Sequence, residues 1–352
     1  MAIGQYSNFA GESYLMIGRE TGTSYGTYNT CTANLPFLSS SLKMLKEGKI
    51  LEQIETSRTY SKRTEMGRVL EGEIEAYFYP RLTACALLLQ NAMGGSVSQA
   101  TSTGETVGGS AIDHTFSIGN LDDMSYGSLC INSRKGHTTT GQVFEYSGLR
   151  INEIGFSAEL DDSLKMSVGL VGKDATTTTN DLSGNISATT VSTLIFTSGR
   201  VSVEDTFASL TSTSFWHVQS VSFGIANNLK SDSESRRIGS DTLVVLPQGI
   251  ASFPVTVTMR FDTTTAYAAM IGQSQLAMQL QFQGPTMSGS AIREGLKINF
   301  PLVQINDAGD PEIGGPDEIL TSEVVFHVLR DDSSATGYAM QAVLTNNIQN
   351  YN

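Results

Sequence analysis

Residues 69–93, VLEGEIEAYFYPRLTACALLLQNAM, change their hydrophobic period once, at Tyr79-Pro80. Before that point Leu70, Ile74, Ala76 and Phe78 alternate with Glu71, Glu73, Glu75 and Tyr77, a period of two that predicts a strand with three carboxylates on one face. After Pro80, which suits a first helical turn, Leu82, Ala86, Leu89 and Met93 recur at helical spacing, and Gly94-Gly95 ends the helix. The same grammar returns about 183 residues later in residues 251–273, ASFPVTVTMRFDTTTAYAAMIGQ. There Phe253, Val255, Val257, Met259 and Phe261 alternate with polar or small partners, and Asp262 is placed to cap a short helix through Ile271. A strand-to-helix unit repeated at this distance predicts a chain of two related halves.

A length of 352 residues suits about two domains, each with a core of its own. Charged residues are 16% of the chain, and Thr, Ser, Asn and Gly make up the shortfall, which favours strands and turns. A net charge of -13 argues against a protein that grips nucleic acid by counterion release, since that needs clustered Lys and Arg. Cys31, Cys85 and Cys130 share no metal or redox spacing and are expected as small buried residues in a reducing compartment. The opening residues carry neither a basic leader nor a long apolar run, and no window approaches the ~18 apolar residues of a membrane span. The expectation is a protein made in the cytosol without membrane insertion.

Taken in order, residues 14–17 predict a first strand and residues 35–45 the next. Residues 43–68 carry seven basic and four acidic side chains, so this stretch is not core. Leu45, Ile50, Leu51, Ile54, Tyr60 and Met66 are scattered among those charges, which suits an arm laid on another subunit, with Lys46, Lys49, Arg58, Tyr60, Lys62 and Arg63 as its contact residues. A solvated hairpin or loop is the plainer alternative. The corresponding place in the second half, residues 228–239, is again charged and ends in Arg236 and Arg237. Residues 94–110 read as a flexible loop and 111–118 as a strand. Residues 149–160 and 164–172 form the clearest hairpin, with Arg150, Asn152, Ile154, Phe156, Ala158 and Leu160 on one face. Residues 174–193, poor in apolar side chains, supply the linker, so that 1–175 and 194–352 are the two units on either side of 176–193. The second unit predicts strands at 194–196, 201–203, 218–225, 278–282, 296–305, 323–329 and 340–344.

No chemistry emerges from this order. HExxH, CxxC and Walker A patterns are absent from the sequence, and Gly172-Lys173 reads as a strand end. His114, His137, His217 and His327 are far apart, each in or beside a predicted strand, which suits surface or satisfied core histidines. Asp307, Asp310, Glu312, Asp317 and Glu318 crowd one Gly-Pro-rich turn that could hold calcium but does not follow the EF-hand pattern. Trp216 reads as core. Glu71, Glu73 and Glu75 lie side by side on one strand, without the opposed placement across a sugar that glycosidase chemistry requires. The reading is therefore of no enzyme, no cofactor and no metal.

The opening GESYLMIGRETGTSYGT, the Leu42 strand with its charged arm, the strand-helix unit, the hairpin ending in LVGK and the late GPDEI before a closing strand together resemble the major tail tube proteins of tailed bacteriophages. The resemblance covers nearly the whole chain and rests on element order. It implies a mainly β fold, a β-sandwich or barrel with a short flanking α-helix in each unit, assembled into stacked rings whose inner strands line a channel. DNA in transit, and the tape-measure protein during assembly, would occupy the bore of a virion tail built in the host cytoplasm; a sheath or tail-completion protein is a possible further partner. Shorter family members carry one such unit. Two units per chain predict that three chains close a pseudo-sixfold homo-oligomeric ring. Glu71, Glu73 and Glu75 are then expected on the lumen, where they would keep DNA off the wall, or, alternatively, on the outer surface or in ion pairs. The competing reading is a β-sandwich virion protein that binds a receptor or glycan.

Overall fold

Alternating side chains need partners for their backbone edges, and in the computed structural model they find them almost wholly in antiparallel sheet. The structure describes residues 10–20, 25–52, 59–60, 62–103, 105, 110–119, 121, 128–137, 142–186, 191–210, 215–261, 264–308, 319–332, 337–349 and 351. The fold is mainly β. Its first strands are β1 (Tyr14–Arg19), β2 (Ala33–Asn34), β3 (Ser39–Ser40), β4 (Lys43–Ile50) and β5 (Arg63–Tyr77), followed by helix α1 (Thr83–Met93). Then come β6 (Val97–Thr101), β7 (Ile112–Ser117), β8 (Leu129–Lys135), β9 (Gln142–Glu159), β10 (Lys165–Gly172) and β11 (Asp174–Thr178). The remainder comprises β12 (Gly199–Glu204), β13 (Val218–Ala226), β14 (Val255–Arg260), helix α2 (Thr265–Ile271), β15 (Leu276–Thr286), β16 (Arg293–Ala308), β17 (Thr321–Leu329) and β18 (Gln341–Asn346).

The pairing order occurs twice. One sheet runs β4-β5-β10-β9-β13-β14-β17-β16, antiparallel throughout. Its first four strands and its last four have the same parts in the same sequence: a strand beside the one that enters the helix, then the second and first arms of a later hairpin. Behind them β9 continues between β8 and β11, with β1 beyond β8, as β16 continues between β15 and β18, with β12 beyond β15. Strands β6 and β7 have no counterpart and attach to the edge of β18.

The two hairpins also share an irregularity. Gly169 pairs with Glu153 while Leu170 pairs with Ile151, so Asn152 is an extra residue. Likewise Val325 pairs with Asp307 and Phe326 with Ile305, leaving Asn306 extra. A bulge at one place in a strand is a specific feature, and here the Ile-Asn-acid triplet repeats with it.

The bulge corrects the expected hairpin face. Ile151 and Ile154, three residues apart, both point to the core, whereas Arg150 turns the other way and donates to Leu246 O at 2.8 Å. Past the bulge the alternation resumes, and Phe156 stacks on Phe223 at 5.0 Å with Phe78 edge-on at 5.6 Å. Each such buried aromatic or aliphatic side chain stabilises by about 1.5–3 kcal/mol.

Helix α1 ends where expected, with Gly94 at φ 67. It is not amphipathic: Ala84 through Met93 are all buried. The uncharged sequence TACALLLQNAM permits that because its polar groups have partners, Gln90 accepting from Arg19 at 2.5 Å and Asn91 from the Ile151 N–H at 3.2 Å. Helix α2 differs, with only Ala266 buried; Asp262, expected as its cap, lies outside the described residues. Other expectations change: residues 194–196, expected as a strand, hold only an isolated bridge at Ile195 before a 3-10 turn. Residues 94–110, expected as loop, contain β6; residues 174–178, at the start of the predicted linker, form β11; and β8 was not anticipated.

Candidate functional site

With one face committed to the core, the sheet from β5 to β17 gives the other mostly to polar and small side chains, except at Val69 and Val171, which Leu243 and Leu246 cover. Glu71, Glu73 and Glu75 are exposed on β5 and stand opposite Val171, Gly169 and Ser167 of β10. The row continues through Glu153, Gly155, Ser157 and Glu159 of β9 to Ser220, Ser222 and Gly224 of β13. It ends with Thr256, Thr258 and Arg260 of β14 beside Val325, Glu323 and Thr321 of β17. The hydroxyls of Ser167 and Ser39 donate to Glu73 at 2.8 Å and Glu75 at 3.0 Å. Lys165, on the same face, is tied to Asp162 at 2.6 Å. An open depression of about 520 Å³ is lined by Glu75, Glu153, Gly155, Ser167, Ser222 and Gly224 among others. At Gly224 a Cβ would lie 2.4 Å from Ile154 O, so the smooth floor follows from the close approach of β9.

This face can repel but has little with which to react. Glutamates two residues apart on a strand stand ~7 Å from one another, too far to share a proton. Among the described residues no three His, Cys, Asp or Glu side chains gather to hold a metal ion.

The second feature is the hairpin of β4 and the first half of β5. Lys46, Lys49, Tyr60, Lys62 and Arg63 are exposed, and Lys46 pairs with Glu65 at 2.5 Å; Arg58 lies outside the described residues. Ile50 at 51%, Tyr60 at 64% and Met66 at 47% exposure put large apolar groups in water. A two-stranded ribbon exposed on both faces is marginal by itself. Its base is fixed from both halves: Arg68 reaches Asp174 of β11 at 3.4 Å and Asp241 at 3.1 Å, and Arg236 reaches Glu47 at 3.0 Å. Leu243 and Leu246, fully buried, pack there with Val69 and Val171. The charged stretch around residue 236 thus braces the base of the β4-β5 hairpin.

The remaining candidates do not assemble. His114 is buried against Tyr351, and burial pushes its pKa down. His217 and His327 are exposed elsewhere, and Trp216 packs by Phe326 at 6.0 Å. All three cysteines are free and buried, with Cys31 Sγ 3.5 Å from Cys130 Sγ. Asp307 is exposed on β16, while Asp310, Glu312, Asp317 and Glu318 lie outside the described residues. Sequence reasoning missed the repeated Ile-Asn-acid triplet, which comparing residues 150–155 with 304–309 would have found.

Among known protein families, a model described as phage tail tube protein matches residues 11–328. No curated protein matches the chain.

Proposed function

The chain belongs to the phage tail tube protein family, and from that premise we propose that its polar sheet face lines the channel of a ring closed by three copies. Membership makes it a structural component of the virion tail. The observation that supports the finer reading is the two-sided character of one continuous sheet: its inner side carries the core of both halves, and its outer side offers acidic, hydroxyl and glycine positions from β5 to β17.

Eight strands from each of three chains make a wall of about 24. With strands ~4.8 Å apart and tilted by ~40°, the wall is ~48 Å across between backbones, or roughly 40 Å between side-chain tips. That clears a DNA duplex. Six chains would double the diameter, far beyond what a single duplex needs. Rings of this kind would stack into a tube, with the β4-β5 arm, through Lys46, Lys49, Tyr60, Lys62 and Arg63, reaching a neighbouring subunit or ring. The tape-measure protein would fill the bore during assembly. A sheath or tail-completion protein would dock outside.

A channel wall that passes DNA must not hold it. Each fixed Lys or Arg on a phosphate adds salt-dependent affinity, and many such contacts along a tube would arrest transit. Carboxylates avoid this, acting over about 8 Å at physiological ionic strength. Negative-stain imaging of the purified protein tests the reading: rings or tubes are expected, and discrete particles that bind glycan would support the competing reading instead.

A further inference from the structure

Two of the three cysteines, 99 residues apart in the chain, are brought to one spot by the order of the strands. Strand β1 lies between β2 and β8, and its Gly18 stands opposite Cys130 of β8. On the other side Cys31 precedes β2, in a segment held to β1 by the Thr32 N–H, which donates to Ile17 O at 3.2 Å. The two sulfurs meet beside Gly18, 3.5 Å apart. We propose that Cys31 and Cys130 are a redox pair, which hydrogen peroxide converts into a disulfide that ties the segment before β2 to β8 across β1.

The packing is specific to this pair. A Cβ on Gly18 would lie 2.9 Å from Cys31 Cα and 3.1 Å from Cys130 Sγ, so any larger residue would fill the space in which the sulfurs approach. Closing 3.5 Å to a bond of ~2.05 Å moves each sulfur by only ~0.7 Å. Cys85 takes no part: it sits in α1 within the main core, whereas the pair belongs to a separate small cluster with Tyr14, Met16 and Leu182.

The two thiols are also chemically unequal. Cys31 donates to Cys130 Sγ, which favours a thiolate on Cys130 and pulls its pKa down, while the same bond and burial push Cys31 up. Cys130 is therefore the nucleophile. Its sulfur attacks one peroxide oxygen and the O–O bond breaks; a sulfenic acid forms, and the displaced hydroxide leaves as water with the thiol proton. Cys31 then attacks the Cys130 sulfur, the S–S bond forms, and the sulfenic hydroxyl leaves as a second water with the Cys31 proton. Two thiols are oxidised and one peroxide is reduced to two waters. Peroxide is small and uncharged, which suits sulfurs whose residues are only 1% and 0% exposed.

The disulfide would act as a lock. It closes a loop of 99 residues, and long loops are those whose closure restrains the unfolded chain most. A tail protein folds with free thiols in a reducing cytoplasm and meets oxidants once the particle is released. Only that timing rests on the tube reading; the bond itself is a property of the single chain.

The test treats the purified full-length protein with hydrogen peroxide, alkylates the remaining thiols as the chain unfolds, and cuts it at acidic residues. Glu105, Asp113, Asp122 and Asp123 separate Cys85 from Cys130. The expected result is a peptide pair joined through Cys31 and Cys130 with Cys85 alkylated, and a melting temperature about 4 °C above that of the untreated protein, reversed by dithiothreitol. Cys130→Ala should show no such rise. Recovery of both sulfurs alkylated, sulfinic or sulfonic acid on either without a link, or a link to Cys85 would overturn the pair, and a link without the rise would overturn the lock. None of these outcomes bears on the tube reading.

Discussion

Gly72 shows how a single position holds the hairpin arm to the sheet. Its φ is 156, and a Cβ there would lie 2.6 Å from both Leu42 Cα and Leu42 N, so the clash is with backbone that cannot swing aside. The equivalent place in the second half is Val255, where β13 leaves room. Gly72→Val is predicted to destabilise by about 1–3 kcal/mol in urea unfolding, the usual result of overfilling a packed site; an unchanged midpoint would contradict the close approach. Glu294 gives a pH signature. It is 2% exposed with Arg81 Nε 3.8 Å away, and burial raises its pKa, partly opposed by that guanidinium. A carboxyl whose folded pKa is raised holds its proton more tightly in the folded state. Its contribution is full at pH below the unfolded value of about 4.3 and is lost as pH rises through the folded one. Glu294→Gln, neutral throughout, should therefore gain melting temperature on the parent between about pH 4 and pH 7, and a constant difference across that interval would count against a buried, costly charge.

At the scale of elements, legibility followed how local each cause was. The strand-helix unit could be read because alternation, proline and glycine are signals within twenty residues of one another. Strand β8, LCINSRK, could not: both its faces are buried, and its polar residues are satisfied by distant partners, Asn132 by the Tyr14 hydroxyl at 2.8 Å and Arg134 by Asp181 at 2.9 Å. Strand β6 looked like loop because VSQAT gains its order from pairing with β7. The extra Asn152 shifted a face that strict alternation assigned wrongly. The acidic row on β5 was visible in the sequence, but its continuation across five more strands depends on register, which only the pairing reveals. The arm carries an element-scale prediction. Since Ile50 and Tyr60 touch little within the chain, Ile50→Ser with Tyr60→Ser should shift the stability of the unassembled protein by less than about 0.5 kcal/mol while weakening assembly in sedimentation. Equal assembly would remove the arm from the contact.

At the scale of the whole molecule, the pairing order that occurs twice carries the same bulge in both sets. It also fixes what the polar face must do if it encloses a passage. Glu71→Lys, Glu73→Lys and Glu75→Lys together should leave tubes intact and slow DNA release at low salt, with the delay shrinking as salt rises; release at the parent rate would place those carboxylates away from DNA. The most direct test of the central claim, that two matched sets per chain let three copies close a ring, is native mass spectrometry of the smallest soluble ring. Three chains per ring is the predicted result. Six chains, or a stable monomer with no ring at any concentration, would contradict it.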